Sequence, residues 1–158
     1  MNKSVFIEHL KFALEQQLLN ATAAANSARA DATHEQSAAE TQYDSLSIEY
    51  GYLAEGQSER VDALHRAQNE IVAQLQLQHS NTVGHNSLVE LIDESNQSHW
   101  FYLAPCEGGL KVACKGQTVM VLTFAAPLGQ QLRGCQVDDE FTFAFNGRQQ
   151  SLCVAQIL

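Results

Sequence analysis

Apolar residues recur every three to four positions through the first half of the chain, which is the period of one helix face. The first stripe narrows to alanine along its length and consists of Ile7, Leu10, Leu14, Leu18, Ala21, Ala25 and Ala28. The second stripe has coiled-coil spacing with a polar gap at Gln57, and its members are Tyr43, Leu46, Tyr50, Leu53, Val61, Leu64, Ile71 and Leu75. Residues 1–80 contain no proline and only two glycines, so the pattern predicts two long helices whose stripes cover each other.

A hairpin requires a reversal between the two stripes, and residues 30–37 are the candidate segment. Ser37 with Glu40 fits the S/T-x-x-E/Q capping box, in which each side chain satisfies a backbone N–H at a helix start. We therefore predict an antiparallel helical hairpin over residues 1–80, with its tip near residues 31–37. The competing interpretation is one continuous helix of roughly seventy residues that dimerises as a coiled coil.

After His79 the chain changes to short runs of β-branched and aromatic residues separated by turn residues. Six runs are predicted as strands, at residues 87–92, 99–103, 110–114, 119–123, 140–145 and 149–157. Phe141 and Phe143 alternate with smaller residues, which is typical of a strand with one face in a core. Ala126 to Gly134 is predicted as a short helix with Pro127 near its start. The chain is therefore predicted as an α+β protein, with an N-terminal antiparallel helical hairpin followed over residues 84–158 by an antiparallel β domain with one short helix.

The charge balance narrows the classes of function. Nine basic against eighteen acidic residues give the 158-residue chain a net charge of −9, which disfavours binding to an isolated phosphate backbone. The N-terminal segment lacks the apolar core of a signal peptide, and no stretch approaches about 18 apolar residues. We therefore expect a cytoplasmic protein with no membrane partner.

Motifs that carry chemistry are scarce. The last third of the chain contains four cysteines, at Cys106, Cys114, Cys135 and Cys153. They form no C-x-x-C pair, which argues against a zinc site and favours reduced thiols. His34 and Glu35 begin an H-E-x-x-H motif, but Ala38 stands where the second imidazole is needed. No nucleophile elbow is present, which argues against nucleophilic catalysis.

One segment resembles a known family. Residues 126–140, APLGQQLRGCQVDDE, resemble the SPLGRALLGKxVGDE segment in the C-terminal domain of bacterial Gre transcript cleavage factors. Residues 89–93 and 102–109 are similar to the opening strands of that FKBP-like domain, and Gln42-Tyr43 with Gly51-Tyr52-Leu53 resembles the spacing of the family's hairpin. The resemblance covers nearly the whole chain in the same order. It implies an FKBP-like β domain that docks at the rim of RNA polymerase and a hairpin that enters the secondary channel.

The resemblance also implies a role for carboxylates at the tip of the hairpin. In that family an Asp and a Glu help to hold Mg²⁺ and a water in the polymerase active site, which stimulates hydrolysis of backtracked RNA. An alignment without gaps from Tyr43 places Gln36 and Ala39 at these positions. The candidate acids of this chain are Asp31, Glu35 and Glu40. We expect no cofactor in the free protein, no stably bound metal, and Mg²⁺ only as an ion held jointly with RNA polymerase.

By the same resemblance, the candidate partner-binding residues are Pro127, Leu128 and Gly129. RNA would be contacted only within the elongation complex, and we expect the protein to be a monomer. Two other functions remain open. One is a non-catalytic cytosolic coiled-coil interaction module, and the other is a channel-occupying inhibitor that lacks cleavage stimulation.

Overall fold

The computed structural model of the chain describes residues 1–38, 45–75, 81–145 and 147–158, and for residues 31–38, 45–48, 50, 145 and 148 it describes the backbone alone. Its elements in chain order are α1 (Lys3–Ala38), α2 (Ser45–Gln74), β1 (Leu88–Asp93), β2 (Ser98–Leu103), β3 (Lys111–Cys114), β4 (Gln117–Leu122), α3 (Pro127–Leu132), β5 (Glu140–Phe145) and β6 (Arg148–Ile157). Each predicted strand and the short helix are confirmed. Within the described residues, neither long helix carries an apolar stretch sufficient to cross a bilayer.

The chain divides into two compact units, and the long helices contribute to both. Met1–Leu10 with Asn69–Leu158 form one, which we call the sheet unit, and Lys11–Gln68 form the other, which we call the hairpin unit. This differs from the predicted division between residues 80 and 84, because the two helix ends group with the sheet. Phe6 shows the reason, since its side chain is completely buried and its ring centroid lies 5.1 Å from that of Tyr102 on β2.

The described part of the hairpin unit buries small side chains as well as Leu14 and Leu64. Ala25 and Ala28 of α1 and Ala54 of α2 are buried. Arg29 of α1 donates a hydrogen bond from Nη2 to Ser58 Oγ of α2 at 2.7 Å. Because α1 and α2 touch within one chain, the single continuous helix is ruled out and the predicted hairpin is confirmed.

The first helix is longer than the sequence suggested. We predicted the tip near residues 31–37, but these residues belong to α1, which continues to Ala38 before α2 begins at Ser45. Alanine alternates with other residues from Ala28 to Ala32, and no glycine or proline interrupts the segment, so its helix propensity favours continuation. Glu40, the second member of the proposed capping box, lies outside the described residues.

The six strands form one mixed sheet in the order β3-β4-β2-β1-β6-β5. The predicted fold class is confirmed except at one pair, because β2 and β4 are parallel, with Trp100 opposite Val119. The other neighbouring pairs are antiparallel. After β2 the chain passes to the sheet edge as β3 and returns as β4 between β3 and β2, which makes the β2–β4 pair parallel.

The two faces of the sheet bury different residues. The face that α3 covers holds the main core cluster, made of Val83, Val89, Leu91, Phe101, Leu103, Leu122, Phe124, Leu128, Leu132, Leu152 and Val154. Phe141 and Phe143 pack against this cluster while Thr142 is exposed, as the alternation along β5 predicted. Trp100 and Tyr102 alternate with Phe101 on β2 and therefore belong to the opposite face.

Candidate functional site

The predicted tip acids lie in or beyond the last turns of α1. Asp31 and Glu35 are both helical, four residues apart, which corresponds to about 6 Å of rise along the helix axis. Glu40 lies outside the described residues, so the structure relates only the first two to each other. In the described parts of the chain, no group of three His, Cys, Asp or Glu side chains could hold a metal ion. The role of these carboxylates stays a prediction.

The predicted docking segment forms the start of α3. Pro127 occupies the first turn, where the missing N–H removes no helical hydrogen bond. The carbonyl of Ala126 accepts a hydrogen bond from the Gln130 N–H at 2.9 Å, and no side chain caps the helix. Pro127 is exposed on this first turn.

The next two residues, Leu128 and Gly129, are buried and hold α3 in position; they do not form part of its surface. Leu128 is only 6% exposed and belongs to the main core cluster. A Cβ atom at Gly129 would lie 2.1 Å from the carbonyl oxygen of Thr123, so the close approach of α3 to the segment after β4 requires glycine. Of the three predicted partner-binding residues, Pro127 alone is accessible to a partner in this structure.

An aromatic and basic cluster flanks α3 and was not predicted. The Arg133 guanidinium carbon lies 4.5 Å from the ring centroid of Phe124, and the His85 ring packs edge-on against the same ring at 4.8 Å. His85 and Arg133 are exposed. We call these three residues the Arg133 cluster. A cation–π contact at an exposed site contributes about 0.5–1 kcal/mol, so the cluster orients Arg133 without immobilising it strongly.

His85 reaches the cluster through a pairing between distant parts of the chain. The Val83 N–H donates to the Cys135 carbonyl at 2.8 Å, and the Gly134 N–H donates to the Val83 carbonyl at 2.9 Å. These bonds align the segment before β1 with the segment after α3. Neither segment carries a strand pattern of its own, so the sequence offers no signal for the cluster.

Two thiols of the sheet unit, those of Cys106 and Cys135, have a raised pKa. Burial, together with Glu70 and Glu107, raises the pKa of Cys106 to about 11. Burial also raises the pKa of Cys135, where Asp139 adds to the effect. A thiol must ionise to attack, and a raised pKa keeps the thiolate fraction at neutral pH small. These cysteines are free thiols, in keeping with the predicted reduced state.

The surface charge of the hairpin differs from that of the Arg133 cluster. Residues 20–65 contain two basic and eight acidic residues. Among the acids, Glu49, Glu55, Glu59 and Asp62 are exposed on α2. A partner that accepts the hairpin would therefore need a positively charged surface.

Comparison with known proteins gives structural likeness alone. No family model matches the chain, and no curated protein matches it. Solved structures similar to it are those of Gre-type transcription factors. GreA factor homolog 1 (Gfh1) of Thermus thermophilus is 18% identical over 94% of both chains, with a TM-score of 0.40. Gfh1 of Thermus aquaticus is 18% identical over 91% of this chain and 90% of that one, with a TM-score of 0.41.

A further solved structure is that of a prokaryotic transcription elongation factor GreA/GreB from Nitrosomonas europaea. It is 20% identical over 63% of this chain and 89% of its own, with a TM-score of 0.38. These proteins are named for the Gre family, whose motif residues 126–140 of this chain resemble.

Proposed function

We propose that this protein is an RNA polymerase-binding regulator of transcription elongation whose hairpin enters the secondary channel of the enzyme. The observation that carries the proposal is the packing and exposure of α3, which lies within residues 126–140, the segment whose sequence resembles the Gre motif. Leu128 and Gly129 fix this segment to the core, and Pro127 and Arg133 are exposed at the two ends of α3. The segment is thus a rigid surface element, as a docking site requires.

The hairpin unit has properties that suit entry into a channel. Helix α1 has 36 residues, which corresponds to a length of about 54 Å. Buried alanines allow its two helices to approach closely, since small side chains at a helix contact shorten the interaxial distance toward about 8 Å. A long, thin and acidic element would be steered by a positively lined channel, mainly through the rate of encounter.

Under this proposal the protein is an accessory factor that at most completes the active site of the polymerase. Asp31, Glu35 and Glu40 are the carboxylates it offers near the end of the hairpin. Mg²⁺ prefers hard oxygen ligands and commonly takes only one or two carboxylates from a protein, so the remaining ligands would come from the polymerase. The ion would supply the activated water, and the carboxylates of this chain would help to position it.

A second candidate function has its own support. Gln36 and Ala39 stand where the Gre motif has its two acids. A hairpin that occupies the channel without positioning a catalytic ion would block access rather than stimulate cleavage. This protein would then be a channel-occupying inhibitor. The third possibility, a coiled-coil interaction module unrelated to transcription, predicts no affinity for the polymerase.

Binding to purified bacterial core RNA polymerase tests the docking step. We expect co-purification of the two proteins, and an affinity loss of roughly tenfold for Arg133→Glu, because the substitution reverses the exposed charge at the C-terminal end of α3. Lys115→Glu makes the same charge change on the β3–β4 turn and serves as the matched control, with an expected loss below about twofold. Failure of the wild-type protein to bind the polymerase would exclude both transcription functions.

A cleavage assay on stalled elongation complexes that contain backtracked RNA distinguishes a factor that stimulates RNA cleavage from one that only occupies the channel. If the protein stimulates cleavage, Asp31→Asn, Glu35→Gln or Glu40→Gln should reduce the cleavage rate without reducing binding. Asp62→Asn, an exposed position on α2, is the control. If the wild-type protein binds but leaves the RNA intact and slows nucleotide addition, the inhibitor is the correct function.

A further inference from the structure

A groove lies across β2, β4 and β3 near the edge of the sheet. Its volume is about 480 Å³, within the range of roughly 300–1,000 Å³ that is usual for small-molecule sites. The side chains that matter for its chemistry are His99 and Phe101 of β2, Thr118 and Met120 of β4, and Lys111 of β3. The Arg133 cluster does not contribute to it.

The strand register aligns three of these residues in one row. Phe101 lies opposite Met120, and Met120 lies opposite Lys111. Directly opposed residues project from the same face of a sheet, and neighbouring strands are about 4.8 Å apart, so the row spans about 10 Å. An aromatic ring, a thioether and an ammonium group therefore follow one another from the core to the edge.

The floor of the groove is apolar because the main core cluster ends there. Phe101 is 3% exposed and belongs to that cluster, and Met120 packs against it while only partly buried. Beyond Met120, Lys111 and Ala113 of β3 are exposed, whereas Val112 and Cys114 on the opposite face are buried. This face is thus open at its β3 edge in the part of the chain that the structure describes.

The charge at the edge is positive and unneutralised. No ion pair involves Lys111 within the described ranges. Residues 108–137 contain three basic residues and no acidic one, in a chain whose net charge is −9. An anion that enters the groove would therefore meet an ammonium group with no competing carboxylate in its own segment.

The carboxylates nearest the other end of the groove are already engaged. His99 Nε2 and Asp93 Oδ2 lie 2.9 Å apart, and the same carboxylate accepts the N–H groups of Ser95 and Gln97. Glu90, which accepts the Ser98 hydroxyl, lies opposite Trp100 and therefore on the other face of the sheet. On the groove face the His99 end thus has the Asp93 carboxylate beside it and the other end has the Lys111 ammonium, so an anion is favoured at the Lys111 end.

We propose that this groove binds a small aromatic anion, that is, an aromatic ring that carries a carboxylate or a phosphate. The ring lies on the partly exposed Met120, with buried Phe101 behind it, because a thioether makes favourable contacts with aromatic groups. The anionic group lies against the Lys111 ammonium, with the Thr118 hydroxyl as a further donor. The site is separate from the polymerase-docking surface and does not depend on that proposal.

Titration of the full-length protein with 1-naphthoate and with phenyl phosphate tests the site. The chain contains two methionines, so a ¹³C-methyl label on methionine reports on Met120 in the groove and on Met1 as an internal control. We expect saturable shifts of the Met120 methyl with at least one of the two anions and none at Met1. The probe that binds with the lower dissociation constant shows whether the groove prefers a carboxylate or a phosphate. Neutral 1-naphthamide should bind roughly tenfold more weakly than 1-naphthoate.

A pair of lysine variants tests the role of the charge. Lys111→Gln should weaken binding by about tenfold, and Lys115→Gln, on the adjoining turn, by less than about twofold. Both positions are exposed, so neither variant should disturb the fold. The proposal is overturned if neither anion shifts Met120, if the neutral amide binds as tightly as the anion, or if the two lysine variants lose affinity equally.

Discussion

The hairpin unit and the sheet unit bury very different side chains. Among the described residues, the hairpin unit buries Leu14 and Leu64 and four alanines, Ala25, Ala28, Ala54 and Ala67. The hairpin unit also exposes large apolar side chains, with Phe12 at 62% and Tyr52 at 70%. The sheet unit instead buries Phe6 and Tyr102 completely or nearly so. Stabilisation by burial scales with apolar area, so each large buried ring of the sheet unit contributes more than a buried alanine of the hairpin unit, whose helices depend on close packing along their contact.

The two units have similar net charges, but one segment of the sheet unit differs from the rest. The hairpin unit has four basic and nine acidic residues, and the sheet unit has five basic and nine acidic residues. Residues 108–137 contain three basic residues and no acidic one, so the positive charge of the sheet unit is concentrated in that segment. A charge reversal in that segment that leaves the fold intact should therefore affect the contacts of the segment and not those of the hairpin.

Truncation of Phe6 should give the largest effect on stability. Phe6→Ala removes a fully buried ring that packs on Tyr102, and the loss of a core aromatic costs about 3–5 kcal/mol. Urea unfolding followed by Trp100 fluorescence measures the effect, because the single tryptophan lies in the sheet unit. Phe12→Ala is the matched control, since this ring is 62% exposed and its loss should cost less than about 1 kcal/mol. Equal losses at the two positions would show that the helix end is not part of the sheet core.

Glycine-to-alanine substitutions should change the free energy of unfolding in opposite directions in the two units. Gly129→Ala forces a Cβ to within 2.1 Å of the Thr123 carbonyl oxygen, so α3 must shift, and we expect a loss of about 3 kcal/mol. At Gly51 in α2, no atom that the structure describes lies within 4 Å of the added Cβ, and alanine should stabilise the helix by about 0.5–1 kcal/mol. Thermal unfolding followed by Trp100 fluorescence and by far-UV circular dichroism reports on the two sites. A stabilised Gly129→Ala protein would mean that α3 is not packed as described.

The elements that the sequence predicted well are those with a local signal. The alternation of Phe141 and Phe143 places β5, and Pro127 marks the start of α3, because each depends on neighbouring residues only. The longer first helix was missed because a capping box contributes only about 1 kcal/mol and competes with the helix propensity of an alanine-rich segment.

The features that were missed depend on contacts between distant residues. The parallel pairing of β2 with β4 has no local marker, since the loop after Leu103 is short enough for a hairpin yet carries the chain to the sheet edge. The same holds for the Arg133 cluster, which requires the pairing of Val83 with Cys135. Of the candidate site, the sequence therefore predicted α3 but not the exposed residues beside it.

Enlarging a buried alanine in the hairpin should have a moderate effect. Ala28 is 4% exposed in the helix contact, so Ala28→Leu must separate α1 from α2 and should cost about 1–3 kcal/mol of hairpin stability. Ala24→Leu, on the exposed side of the same helix, should change stability by less than about 0.5 kcal/mol. Far-UV circular dichroism during thermal unfolding distinguishes the two. If both variants behave alike, the alanine contact is not what holds the hairpin together.

The smallest expected effect concerns the Asp93 turn of the sheet unit and depends on pH. The hydrogen bond with His99, and then those from the Gln97 and Ser95 backbone, hold the pKa of Asp93 below its ordinary value. A depressed carboxyl pKa contributes stability that is present above the unfolded value of about 3.9 and is lost as the pH falls through the folded value. Asp93→Asn should therefore be less stable than the wild type near pH 6, and the two should converge near about pH 2. Asp62→Asn, at an exposed position in the hairpin unit, controls for the loss of one negative charge. If the difference in unfolding free energy between Asp93→Asn and the wild type is the same at low pH as near pH 6, the carboxylate charge does not cause it.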